Sequence, residues 1–181
     1  MKKIIPSEIG LKAISNFITS AVVPRPIAFV STINQNGQAN LSPFSFFNAF
    51  SSDPPILIFS AAKSALTGKQ KDTYHNVKAN AECVIHIANY AMVEQLSVTS
   101  GAYPSDVNEF VKGGFTEEKS ILVKPPRIKE APIAFECKVT QVIELGDKGG
   151  AGNLVICEMV MIHVDEDLLD ENGNVIAEKL D

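Results

Sequence analysis

The densest chemistry in the chain lies between Pro24 and Pro55. Pro24-Arg25-Pro26 opens an apolar run, Asn40-Leu41-Ser42-Pro43-Phe44-Ser45-Phe46-Phe47-Asn48 follows, and Ser51-Ser52-Asp53-Pro54-Pro55 closes the stretch. Phenylalanines interleaved with serines and asparagines do not read as a plain strand. The segment is either core packing with turn residues or an apolar wall edged by amides and hydroxyls, which suits a flat ligand with a polar rim. A second cluster gathers Ser60, Lys63, Ser64, Thr67, Lys69, Lys71, Asp72 and Thr73. It ends where the pattern predicts a helix from Asp72 to about Asn80, with Asp72 as its cap. A helix start offers free N–H donors and a positive dipole end. Hydroxyls, lysines and a helix start together make either a monophosphate site or a solvated loop.

Other chemistries are excluded by what the sequence lacks. No GxGxxG follows a strand, Lys63–Gln70 lacks the glycine and hydroxyl frame of a phosphate-binding P-loop, and the acidic run Asp165–Asn174 lacks calcium-loop spacing. His75, His86 and His163 are scattered and read as structural or surface residues. Cys83, Cys137 and Cys157 form no CxxC and read as buried thiols in a reducing compartment. No nucleophile–base pair is apparent, so an enzyme of this sequence would leave the chemistry to a cofactor.

Positioning these residues requires a single domain. The chain has 181 residues, 45% of them hydrophobic and 20% charged, with a net charge of -5. That is enough apolar material for a core, and too acidic a surface for a general nucleic-acid or membrane binder. The N-terminus is charged but has no long apolar run, so a soluble, cytoplasmic protein without membrane contact is expected. Strands are predicted over Pro26–Ile33, Pro55–Ser60, Glu82–Ala88, Ile133–Leu145 and Leu154–Val164, with Asn36-Gly37 turning a hairpin. In the fourth, Ile133, Phe135, Cys137, Val139, Ile143 and Leu145 share one face, and Glu136, Lys138, Thr140 and Glu144 the other. The last strand is apolar on both faces apart from Glu158 and His163, and needs cover twice, by the core and by a helix or a second copy of the chain. Gly146–Gly152 joins the last two strands as a loop. Short helical segments fit Tyr90–Val98 and Asp106–Lys112. The expected fold is mainly β (α+β), a barrel with a few short helices spanning 1–181 as one domain.

Pro24-Arg25-Pro26-Ile27-Ala28-Phe29-Val30-Ser31-Thr32, Gly37, Asn40–Asn48, Asp53-Pro54-Pro55 and Lys71-Asp72-Thr73 with Asn76 resemble, in order and spacing, the flavin reductase-like, FMN-binding split-barrel family. Val123-Lys124-Pro125-Pro126-Arg127 and Gly152-Asn153-Leu154-Val155-Ile156 extend the likeness. The resemblance implies a split-barrel homodimer holding FMN in a groove at the subunit interface. It places Ser31, Thr32 and the Asn40–Asn48 segment, with Asn40, Ser42, Pro43, Phe44, Ser45, Phe46 and Asn48, near the isoalloxazine and ribityl chain. It places Ser60, Lys71 and Thr73 near the phosphate, and leaves Arg25 either reaching the flavin or pairing at the barrel mouth. Members of the family often continue beyond the point where this chain ends, with a segment near the flavin; without it, a pocket more open or completed differently is expected.

The expected activity is hydride transfer from NADH or NADPH to flavin, with free flavin, a small molecule or a redox partner protein as acceptor. The alternative is a non-enzymatic FMN-binding electron-transfer module, flavoredoxin-like, reduced by a partner protein. No metal is expected.

Overall fold

The computed structural model describes residues 1–180. Nine strands form: β1 (Ala28–Ile33), β2 (Ala39–Phe44), β3 (Phe47–Ser52), β4 (Pro55–Ser60), β5 (Glu82–Ile87), β6 (Glu117–Glu118), β7 (Arg127–Ile128), β8 (Ile133–Glu144) and β9 (Asn153–Val164). Four α-helices accompany them: α1 (Leu11–Ala21), α2 (Asp72–Asn80), α3 (Val93–Thr99) and α4 (Glu109–Gly113). Seven strands make one antiparallel sheet in the order β2-β1-β5-β8-β9-β4-β3, and β6 and β7 pair separately.

The connection between β2 and β3 dictates the shape. These strands are the two opposite edges of the sheet, yet only Ser45 and Phe46 join them. A flat seven-stranded sheet would hold its edges about 29 Å apart, whereas so short a joint spans about 10 Å. The sheet must therefore curl until its edges meet, leaving a seam at Ser45-Phe46. Phe44 of β2 accordingly meets Phe59 of β4 across the interior, ring centroids 5.2 Å apart. The core inside the curl takes Val30, Phe44, Phe59, Ile85, Val155 and the three free cysteines, all buried.

The Asn34–Gln38 turn closes as a hairpin, with Gly37 at φ 80° and its N–H bonded to the Asn34 carbonyl. Helix α2 spans the predicted residues, but its cap differs. Lys71 is the N-cap, and the carboxylate of Asp72, already in the first turn, accepts from Ser105 Oγ at 2.8 Å. Helix α1 occupies residues for which the sequence pattern predicted no element.

Strand β8 departs from its predicted faces. Thr140 is an extra residue opposite β9, where the register steps from Val139↔Cys157 to Gln141↔Ile156. Beyond this bulge the alternation inverts. Val142 packs on the core, while Ile143 and Leu145, expected inward, are exposed. Glu136, expected on an open polar face, is fully buried because residues 119–127 cross over that face.

Candidate functional site

Directly opposite residues of adjacent strands share a face. The β1–β2 register pairs Thr32 with Asn40, Val30 with Ser42 and Ala28 with Phe44. Asn40, Ser42 and Phe44 therefore line up with Thr32 on the interior side of the sheet. Thr32 Oγ1 accepts from Asn76 Nδ2 of α2 at 3.0 Å, so this row runs toward α2. Ser31 and Pro43 belong to the opposite face. The Ser31 hydroxyl, fully buried, donates to the Pro126 carbonyl at 2.5 Å and is not free for a ligand.

The row ends at the seam. The Phe46 carbonyl accepts from Ser60 N at 2.9 Å, which fixes the bend to the end of β4. A cavity of about 420 Å³ opens there, with Arg25, Ser45, Phe46, Asn48 and Ser60 in its lining. Val22, Phe47, Phe50, Ile58, Leu145 and Leu154 make its apolar walls, and Gly150 and Gly152 its far side. Asn48 is exposed, and its Oδ1 accepts from Ala49 N at 2.8 Å. Arg25 Nη1 donates to the Thr19 and Val22 carbonyls at 2.6 and 3.0 Å, closing the C-terminal end of α1, while Nε approaches Ser45 Oγ at 3.5 Å. Arg25 thus joins helix and seam at the cavity edge. The contribution of α1 and of the glycine-rich loop to this wall had no signal in the sequence, since both depend on contacts between distant segments.

The N-terminus of α2 forms an adjoining corner. Lys71 Nζ stands 5.5 Å from the centroid of the Phe44 ring, tying the helix start to the seam through a cation–π contact. Thr73 is buried, and its Oγ1 has no hydrogen-bond partner. A buried hydroxyl without a partner is costly, and a ligand atom within reach would complete it. The first N–H groups of a helix likewise lack intrahelical acceptors. The start of α2 thus offers a hydroxyl, backbone amides and an ammonium, groups that can hold an anion. Glu109 lies near it and accepts from Leu41 N at 3.1 Å; burial raises its pKa, and the Leu41 bond offsets this only in part.

A different polar group lies on the outer face, where it holds residues 119–128. Glu136 accepts from the amides of Ile121, Leu122 and Val123 at 2.8, 2.6 and 3.2 Å, and pairs with His163 Nε2 at 2.7 Å. Burial pushes the Glu136 carboxyl up, but the amides and His163 outweigh it and hold it below the ordinary range. His86 Nδ1 meets the Phe29 carbonyl at 2.8 Å and Nε2 meets Ile128 N at 2.9 Å. A carbonyl only accepts and an N–H only donates, so the ring is neutral with its proton on Nδ1. Burial lowers its pKa to about 4. Among the described residues, no cluster of His, Cys, Asp and Glu could hold a metal ion. No helix among the described residues is long and apolar enough to cross a membrane.

The family model for a flavin reductase like domain matches residues 20–177. An uncharacterized protein of Aquifex aeolicus is 40% identical over 162 residues, covering 90% of this chain and 80% of its own. Nitrilotriacetate monooxygenase component B from Bacillus cereus has a similar structure, with TM-score 0.93 and 32% identity over 99% of this chain and 89% of its own. A putative flavin reductase with a split barrel domain from Shewanella frigidimarina superposes with TM-score 0.82 over 97% of this chain and 84% of its own. At 23% identity it shows the fold alone, and the curled sheet open at Ser45-Phe46 is that split barrel.

Proposed function

The chain belongs to the flavin reductase-like domain family, and from that premise we propose that it is an FMN-binding oxidoreductase that transfers hydride from NADH or NADPH to flavin. The observation that carries the reading is the buried Thr73 hydroxyl without a partner, at the start of a nine-residue helix and two residues from Lys71. One such corner suits a single terminal phosphate, which favours FMN over a dinucleotide.

The residues fit that group. Lys71, Thr73 and the first amides of α2 would hold the phosphate, with Ser60 at the adjoining cavity edge. Thr32, Asn40 and Ser42 would face the ribityl chain. Ser45, Phe46 and Asn48 would border the ring, with Phe46 shielding it from water. Phe44 would support Lys71 from below, and Arg25 would keep α1 closed against the seam. Ser31 and Pro43 would contribute through the backbone of their strands only. Bound flavin supplies hydride acceptance and delivery, which explains why no side-chain nucleophile–base pair is needed.

A homodimer belongs to the same proposal. Val22, Phe46, Phe50 and Leu145 stand exposed around the cavity, and a second copy of the chain would cover them. Light scattering should give twice 19.5 kDa; a monomer at micromolar concentration counts against it. The three free, buried cysteines support work in the reducing cytoplasm. The acceptor after flavin is a small molecule, free flavin or a redox protein, and the likeness to a protein named as a monooxygenase component supports the last.

The test is the absorbance spectrum of the purified protein, chromatography of the released cofactor, and anaerobic addition of NADH and of NADPH. Stoichiometric FMN bleached by one nucleotide is expected. Stoichiometric FAD or haem overturns the cofactor assignment. FMN that neither nucleotide reduces, but a partner protein does, replaces the enzyme by an electron-transfer module.

A further inference from the structure

We infer that Asn153 is a positioning residue for the anion-accepting corner: its side-chain amide clasps both ends of the 61–70 loop and thereby sets where Lys71 and Thr73 stand. The inference rests on the phosphate reading above. Asn153 is fully buried at the first position of β9. Its Nδ2 donates to the Ala61 carbonyl at 2.6 Å and to Gln70 Oε1 at 2.7 Å. Ala61 directly follows β4, and Gln70 directly precedes the Lys71 N-cap of α2. One amide therefore bridges the neck of the loop that carries the lysine and hydroxyl cluster. The Ala61 carbonyl can only accept, which settles the orientation of the Asn153 amide.

The backbone around Asn153 reinforces the clasp. Ala61 N donates to the Asn153 carbonyl at 3.0 Å, Lys63 N to the Ala151 carbonyl at 2.9 Å, and Gly150 N to the Lys63 carbonyl at 3.1 Å. The approach is closest at two glycines, and at Gly149 it is against backbone that cannot give way. A Cβ on Gly152 would lie 2.8 Å from Ser60 Oγ, and one on Gly149 would lie 2.9 Å from the Ser64 carbonyl oxygen. The glycine-rich hairpin is thus a platform on which the 61–70 loop is laid. The Oδ1 of Asn153 is buried without a partner. An apolar residue would avoid that unpartnered acceptor; what it cannot supply is two donors in one fork.

Flavin-fluorescence titration of FMN and riboflavin, with amide hydrogen exchange of the flavin-free protein, tests the clasp. Asn153→Asp keeps the shape but turns an acceptor toward the Ala61 carbonyl, which cannot donate, and so breaks the fork. Gln70→Ala removes one arm from outside the core. Loss of these bonds should weaken FMN about tenfold in Asn153→Asp and about threefold in Gln70→Ala, with riboflavin changed less than about twofold. Exchange across 62–70 should accelerate in both. Unchanged FMN affinity in a folded Asn153→Asp, equal losses for both flavins, or unchanged loop exchange overturns the inference. If Asn153→Asp does not fold, Gln70→Ala decides by the same criteria. Wild-type protein without preference for FMN over riboflavin overturns the phosphate reading and the inference together. A wild-type preference that both variants keep overturns the inference alone.

Discussion

The seam corner and the segment 119–128 that crosses the outer face differ in how their buried oxygen and imidazole groups are met by the protein. On the outer face, Glu136, His86 and Ser31 each meet backbone groups of residues 119–128 or their neighbours, with His163 behind Glu136. The open group of that segment is Arg127 Nε, whose guanidinium is already paired with Glu118 through Nη2. At the seam, Thr73 Oγ1 is buried without a partner, and Lys71 Nζ rests over a ring rather than a carboxylate. A buried polar group satisfied by backbone stabilises the fold. A buried polar group left open costs stability until a ligand arrives. Removing side chains should therefore damage folding on one side and binding on the other.

The largest effect is expected at Glu136. Glu136→Ala leaves three amides without an acceptor and His163 without its partner, which should cost about 3–5 kcal/mol in denaturant unfolding. A loss below about 1 kcal/mol would mean that residues 119–128 find equivalent partners and that the segment is not held as described.

Acidification probes the same side without mutation. His86 has a folded pKa of about 4 against an ordinary 6.5, chiefly because it is buried, with Arg127 and His163 adding repulsion. The unfolded chain binds the extra proton between those values, so stability should fall by about 3 kcal/mol as pH drops from about 6.5 to about 4. Protonation would also set Nε2–H against the Ile128 N–H. Glu136 acts next: its lowered pKa gives stability that is present above the ordinary carboxylate pKa and lost as pH falls through the folded value. Urea midpoints across this range should show the decline, and His86→Phe should flatten its upper part. An equally steep decline in His86→Phe would assign it to other groups.

At the seam the signs reverse. Lys71→Ala should weaken FMN about ten- to a hundredfold, as expected for a lost charge-assisted bond, and leave riboflavin nearly unchanged. Thr73→Val should weaken FMN about tenfold, yet leave the flavin-free protein equally or more stable because an unpartnered buried hydroxyl is removed. Calorimetry of the flavin-free variant decides this. A clear destabilisation would show that the Thr73 hydroxyl already has a partner in the protein.

The smallest effect is expected inside the barrel. Cys83, Cys137 and Cys157 are buried; Cys137 lowers the pKa of the Cys83 thiol, but contact with Cys157 and burial outweigh this and push that thiol well above its ordinary value, and contact with Cys83 and burial do the same to Cys137. A thiol reagent should modify none of them in the native protein and all three after unfolding. Rapid native modification would mean that the barrel opens far more readily than its packing indicates.

Much of this was legible in the residues. Strands β4, β5 and β9, the span of α2 and the Asn36-Gly37 hairpin follow from local apolar runs and turn chemistry, which act over a few residues. The Phe, Ser and Asn segment and the Lys71–Thr73 cluster stood out by residue type alone, and the fold carries them to the Ser45-Phe46 cavity and to the start of α2. Only the folded chain decided how these meet. The two-residue joint at Ser45-Phe46 is short in sequence, but it closes the barrel because β2 and β3 sit at opposite edges of the sheet. The extra Thr140 turns Ile143 and Leu145 outward through pairing with β9, and no periodicity within β8 contains that register. Ser31 shares a motif with Thr32 yet faces Pro126, because neighbouring strand residues point to opposite sides. Residue type and local pattern act over a few positions and determine the elements and the chemistry on offer. Which polar groups are completed and which stay open depends on partners far along the chain, such as Asn153 and Gln70, and that was settled by tertiary packing.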